Sequence, residues 1–140
     1  MQKSTKVSEV MTDRVIVADS HNKFSQVCAL FLEKRLHHLV VVDKDQQVAG
    51  IIGVTDVLRV YRYESEILGQ TTDAVLDEKI SLSHIMTPNP ITLNATDTIG
   101  VAAELFTNNH IHAFPVVDAD KKVVGIITTN DLIRHFAVVG

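Results

Sequence analysis

Aromatic residues make up only 5% of this chain, and there is one cysteine among its 140 residues. So few flat rings leave little from which to build a stacking platform for single-stranded nucleic acid. A formal net charge of −4, with no long basic stripe, also speaks against a general affinity for nucleic acid. Cys28 stands alone and cannot close an internal disulfide, which suits a reducing compartment. The opening residues, MQKSTKVSEV, hold no apolar core of signal-peptide length. The densest apolar runs, Leu39–Val42 and Gly50–Val54, fall far short of the roughly 18 residues a spanning helix requires. A soluble cytoplasmic protein with no membrane partner is the expectation.

What the chain does have is a repeat. With 46% apolar and 21% charged residues its composition is that of an ordinary globular domain. Shifted by 75 residues, positions 7–61 align with 82–136 without a gap, and 17 of the 55 pairs are identical. The identities include Met11/Met86, Thr12/Thr87, His37/His112, Asp43/Asp118, Gly50/Gly125 and Asp56/Asp131. Internal similarity of this kind sets the architecture before any local reading. Two copies suit a closed pair better than a solenoid.

Each copy reads alike. An extended segment, Arg14–Ala18 or Pro90–Asn94, precedes a helix whose apolar face is Phe24, Val27, Cys28 and Phe31, or Ile99, Ala102, Ala103 and Phe106. Asn22 and Asp97 are the expected N-caps. Strands His38–Asp43 and Val48–Gly53, with counterparts Ala113–Asp118 and Val123–Thr128, are joined by the short polar turns KDQQ and ADKK. A second helix starts near Asp56 or Asp131. The expected fold class is α+β: two strand-helix-strand-strand-helix units, 7–61 and 82–136, each with a small mixed sheet, related by a pseudo-twofold axis. Residues 62–81 join them as a helix continuation to Leu68, a C-cap at Gly69 and a bend. Each unit of about 55 residues is marginal alone, so the pair is expected to share a core.

The duplicated Met-Thr, the Val-Val-Asp strand ends, and Gly-Ile-Ile leading to Thr128 and Asp131 resemble the CBS domain. Two in tandem resemble a CBS pair, or Bateman module. That resemblance implies a regulatory module without catalysis, one that binds AMP, ADP, ATP or, less often, S-adenosylmethionine between its repeats. It also implies homodimers packed through the second helices, Val57–Leu68 and Leu132–Val138, and a regulated protein that the sequence does not name.

A nucleotide presents phosphate, a ribose diol and a flat base. Thr128 ends a strand and Asp131 opens a helix, where free amides and the positive dipole end favour an anion. Arg134, at i+3, is placed to reach the phosphate side. The resemblance gives Asp131 the ribose, Thr92 a hydroxyl contact, and Ile111, His112 and Ala113 the base. In the first copy Leu36, His37, His38, Asp56 and Arg59 take the matching positions. There, however, Val17 replaces Thr92 and Gly53 replaces Thr128, so a degraded site is expected.

Several residues have plainer readings. Aspartate at a helix start is favourable without any ligand, and a strand threonine needs none. His37-His38 and His110-x-His112 have no Cys or carboxylate at a recognised ligand spacing, so no metal site is expected. Cys28 reads as core, and Asp73, Asp77 and Glu78 as a solvated face. A dimerising scaffold that binds no ligand is the alternative to the sensor.

Overall fold

The computed structural model describes residues 4–68 and 72–139, and for 65–68 and 138–139 the backbone only. It divides into two units, Ile16–Asn89, and Met1–Val15 together with Pro90–Gly140. In the first, the chain runs β1 (Val17–Asp19), α1 (Phe24–Lys34), β2 (His38–Val42), β3 (Val48–Gly53) and α2 (Val54–Leu68). It continues through α3 (Asp73–Lys79), α4 (Leu82–Ile85) and β4 (Thr87–Pro88). The sheet order is β1-β2-β3-β4, with β1 parallel to β2 and the other neighbours antiparallel.

The second unit repeats the plan with β5 (Leu93–Asn94), α5 (Ile99–Asn109), β6 (Ala113–Val117), β7 (Val123–Thr128) and α6 (Thr129–Val139). Its sheet is β5-β6-β7, with β5 parallel to β6 and β6 antiparallel to β7. Two mixed sheets and six α-helices among the described residues make this the expected α+β class. No helix among them is long and apolar enough to cross a membrane.

The local chemistry recurs copy by copy. Asp43 Oδ1 accepts the amides of Asp45 and Gln47, and Asp118 Oδ1 those of Asp120 and Lys122. Each hairpin thus turns on the aspartate that ends its Val-Val-Asp run. Gln46 and Lys121 take the left-handed conformation in the turns, at φ 63° and 67°. Helix α1 buries Phe24, Val27 and Phe31, and α5 buries Ile99, Ala102 and Phe106, the spacing read in the sequence. Each large apolar side chain so buried contributes about 1.5–3 kcal/mol.

Three local expectations are corrected. The first strands are shorter than Arg14–Ala18 and Pro90–Asn94, because pairing begins only at Val17 with Val40 and at Leu93 with Val116. The N-caps are Lys23 and Thr98, not Asn22 and Asp97. Those two side chains instead close the turns before the helices, Asn22 Oδ1 accepting Asp19 N–H at 2.9 Å and Asp97 Oδ2 accepting Asn94 N–H at 2.8 Å. Finally, α2 and α6 start at Val54 and Thr129, two residues earlier than expected.

The Met-Thr pairs pack away from their own repeats. Thr12 exchanges backbone hydrogen bonds with Ile126 at 2.9 and 3.0 Å, so the start of repeat one lies on β7. Thr87 and Pro88, at the start of repeat two, pair as β4 with Ile51 and Gly50 of β3. Glycine is required at both crossings. A Cβ on Gly125 would lie 2.5 Å from Met11 Sδ and 2.9 Å from the Thr12 carbonyl oxygen. A Cβ on Gly50 would meet Met86 Sδ at 2.5 Å and the Thr87 carbonyl at 2.9 Å.

The joining segment is more structured than a helix continuation and a bend. The expected C-cap Gly69, with Gln70 and Thr71, lies outside the described residues, but α3 and α4 follow and bury Leu76 and Leu82. Asp77 is not simply part of a solvated face. Its Oδ2 accepts Ser25 Oγ–H at 2.6 Å and its Oδ1 accepts Ser25 N–H at 2.8 Å, so α3 caps the amino end of α1. These bonds, the hydroxyl first and the amide second, hold the Asp77 carboxyl below its ordinary value.

Gly125→Ala should destabilise the protein by about 1–3 kcal/mol, since a backbone oxygen must move. Thermal melts should show a fall of about 4 °C per kcal/mol. Gly53→Ala is the control, because its nearest neighbour would stand at an ordinary 3.6 Å. Asp77→Asn should destabilise at neutral pH. A depressed carboxylate gives stability above its unfolded pKa and loses it as pH falls through the folded one. The gap between wild type and variant should therefore close in acid, below about pH 4, which melts across a pH series will test.

Candidate functional site

The end of β7 and the first turn of α6 form a reciprocal cap. Asp131 Oδ2 accepts Thr128 N–H at 2.9 Å, and Thr128 Oγ accepts Asp131 N–H at 3.1 Å. This is the capping-box arrangement, with aspartate in the glutamate position. Asp131 Oδ1 is engaged more loosely, by Thr12 Oγ–H and by Arg134 Nη1, each at 3.4 Å. The Asp131 side chain is 6% exposed and Arg134 72%.

Of the residues expected at this site, the fold gathers several. Ala113 is buried and stands opposite Thr128 in the β6–β7 register. The His112 carbonyl accepts Thr129 N–H at 3.0 Å, while the His112 and Ile111 side chains are exposed. Thr92 stands exposed one residue before β5, and no hydrogen bond ties it to Thr128 or Asp131. The amides of Thr129 and Asp131, offered by sequence reasoning to a phosphate, are engaged within the protein. Thr12 was missed. Its signal was the recurrence of Met-Thr in both copies, which does not say that the pair packs on the other repeat.

The first copy keeps half of this box. Gly53 N–H donates to Asp56 Oδ2 at 2.8 Å, but there is no hydroxyl to answer it. Asp56 Oδ1 accepts Arg59 Nη1 at 3.0 Å, and the Asp56 side chain is 20% exposed, against 6% for Asp131. The His37 carbonyl accepts Val54 N–H at 2.9 Å, matching His112, and His38 stands opposite Gly53. Leu36 is half-buried against the core.

Beside Asp56 lies a cavity of about 340 Å³. Helix α2 lines it with Asp56, Arg59, Val60, Tyr63 and Glu64, and the α3–α4 segment adds Ile80, His84 and Ile85. None of these connector residues is a candidate in the sequence, where Ile80 falls in the joining segment 62–81 and His84 and Ile85 at the start of the second repeat.

Cys28 is half-buried on the core of its unit, with Tyr61 Oη 3.7 Å from its sulfur. Burial pushes the thiol up, and burial with the sulfur contact pushes the Tyr61 phenol up to about 12. A thiol held protonated in this way is the opposite of an activated nucleophile. Among the described residues no group of three or more His, Cys, Asp or Glu side chains is placed to hold a metal ion.

Known proteins place these features in a family. The CBS domain pair of protein MJ0100, solved with 5′-methylthioadenosine and S-adenosyl-L-methionine, is 26% identical with a TM-score of 0.78, covering 97% of this chain and 98% of that one. CBSX2 from Arabidopsis thaliana shares the fold at 22% identity and a TM-score of 0.79, covering 97% and 96%. Homoserine O-acetyltransferase of Methanohalobium evestigatum is 26% identical over 130 residues, which are 93% of this chain but 24% of that protein. The chain thus spans about a quarter of that relative's length. The family model of the CBS domain matches residues 7–63 and again 82–138, and the chain belongs to the CBS-domain family as a tandem pair.

Proposed function

We propose that this CBS pair is a regulatory module that binds an adenosyl compound and has no chemistry of its own. The observation that carries the reading is the divided carboxylate of Asp131. One oxygen is fixed by the helix cap, and the other is held only by two 3.4 Å contacts that a ribose diol can replace. Thr128 Oγ accepts an amide, which leaves its own proton to donate to a ligand. Arg134, largely exposed, is free to turn towards the anionic or zwitterionic tail of AMP, ADP, ATP or S-adenosylmethionine. Ile111, His112 and Ala113 form the edge for the base, and Thr92 adds a hydroxyl. The relative MJ0100, with its two adenosyl ligands, supports the class of compound.

The site around Leu36, His37, His38, Asp56 and Arg59 is the weaker of the two. One hydrogen bond to a charged group is worth about 1.5–3 kcal/mol, or about 10- to 100-fold in affinity. Occupancy reaches a regulated protein, or a second copy of the chain in the cytoplasm, through ligand-biased packing, and only to the extent that the ligand prefers one arrangement.

A second reading has its own support. Leu58 and Ile133, equivalent in the repeat, are exposed on α2 and α6, and the Asp131 box explains that residue without a ligand. A dimerising scaffold fits both facts.

Thermal melts with AMP, ADP, ATP, S-adenosylmethionine and GTP separate the two. A ligand at 100 times its Kd stabilises by about 2.7 kcal/mol. The sensor reading expects a shift with one or more adenosyl compounds, lost in Asp131→Asn when each variant is compared with its own ligand-free melt. No shift with any compound leaves the scaffold.

A further inference from the structure

We propose that the cavity between α2 and the α3–α4 connector is a further binding site, for a small organic ammonium ion, with Glu64 as its anchoring carboxylate. Its described lining residues all belong to the Ile16–Asn89 unit; it shares Asp56 and Arg59 with the weaker adenosyl site proposed above and uses neither Thr128 nor Asp131.

Glu64 is a buried charge, its side chain 3% exposed, on an otherwise amphipathic helix. Its Oε2 accepts Lys79 Nζ at 2.9 Å. Its Oε1 takes no hydrogen bond from any described residue. Glu64 lines the cavity, and Oε1 is the oxygen it has left to offer there. A carboxylate has room for several donors, and a buried one left half-used invites another.

The charges are sorted by depth. Inside stand the carboxylates, Glu64 at 3% and Asp56 at 20% exposure. Their cationic partners, Lys79 at 46% and Arg59 at 73%, stand at the rim, where water screens them. The interior thus favours a cation over an anion. Tyr63, largely exposed at the rim of the same space, adds an aromatic side chain, a second attraction for an ammonium group. Glu64 also lies towards the carbonyl end of α2, where positive charge is favoured.

Val60, Ile80 and Ile85 supply apolar wall for the rest of the ligand. At about 340 Å³ the space suits a small molecule, at the lower end of the roughly 300–1,000 Å³ of ligand pockets. An amine with an apolar or aromatic body of one ring matches these features.

The test uses three probes of one shape and different charge: phenethylammonium, phenethyl alcohol and 3-phenylpropionate, titrated calorimetrically into the full chain without nucleotide. The ammonium ion should bind at least about tenfold more tightly than the alcohol, a difference of about 1.4 kcal/mol, and the carboxylate should not bind. Glu64→Gln should reduce the ammonium ion to the affinity of the alcohol. Because that change also disturbs the Lys79 contact, Ile80→Trp serves as a second variant. It fills the cavity while leaving Glu64 and Lys79 in place, and should abolish binding of both. Equal affinity for ammonium ion and alcohol, no heat from the ammonium ion at millimolar concentration, or undiminished binding in either variant overturns the proposal. None of these outcomes bears on Asp131, whose ligands are read in a separate melt.

Discussion

Two glycines allow the close approach on which the exchange of segments between the repeats depends. Gly50 and Gly125 lie beneath Met86-Thr87 and Met11-Thr12, so closely that a single added carbon would strike a backbone oxygen. Because each Met-Thr segment sits on the strand of the opposite repeat, neither repeat closes its own sheet edge. The chain leaves the unit built on repeat two after residue 15 and returns to it at residue 90. An edge strand left bare invites pairing with another chain. Here β4 covers β3, and the Thr12 bridge begins to cover β7 in the same way. The same placement brings Thr12 within reach of Asp131, so a residue of the first repeat completes the polar cluster of the second.

Much of this was legible in the sequence, for physical reasons that differ from element to element. The second strand of each pair was read to the residue, and the first to within one position, because alternation and β-branching are strong over five or six residues. The apolar faces of α1 and α5 followed from spacing alone. The caps did not. Asn22 and Lys23, or Asp97 and Thr98, are neighbours, and which one caps depends on where the preceding turn closes. The exchange of Met-Thr segments was invisible for another reason. Repetition shows that two stretches are equivalent but is silent on which copy each one packs against.

The connector shows the same limit. Asp73, Asp77 and Glu78 look like a solvated face because they cluster in a polar joining segment with no distant partner visible in the sequence. Ser25, the partner of Asp77, is 52 residues away. Ile80, His84 and Ile85 become cavity walls only once Leu76 and Leu82 are anchored in the core. Long-range geometry of that kind has no local sequence signal.

The contrast between Gly53 and Thr128 is less a presence and absence of site than a difference in how a carboxylate is held. With a hydroxyl at the cap, Asp131 is braced from both directions and becomes one of two buried polar or charged side chains among the described residues. Without it, Asp56 keeps one amide, leans on Arg59 at 3.0 Å and stays in view of solvent and of the cavity beside it. Bracing fixes the geometry of an acceptor before any ligand arrives, and a preformed acceptor avoids the entropy of ordering it. It also limits what the carboxylate can do, since only Oδ1 is left to exchange partners. The looser Asp56 has the opposite character, able to turn with Arg59 towards different occupants but less ordered for any one of them. A duplicated chain with glycine at one cap and threonine at the other thus presents two acceptors of unequal stiffness on similar scaffolds. Nothing in the fold forces that inequality, because a side chain at position 53 would meet only ordinary contacts.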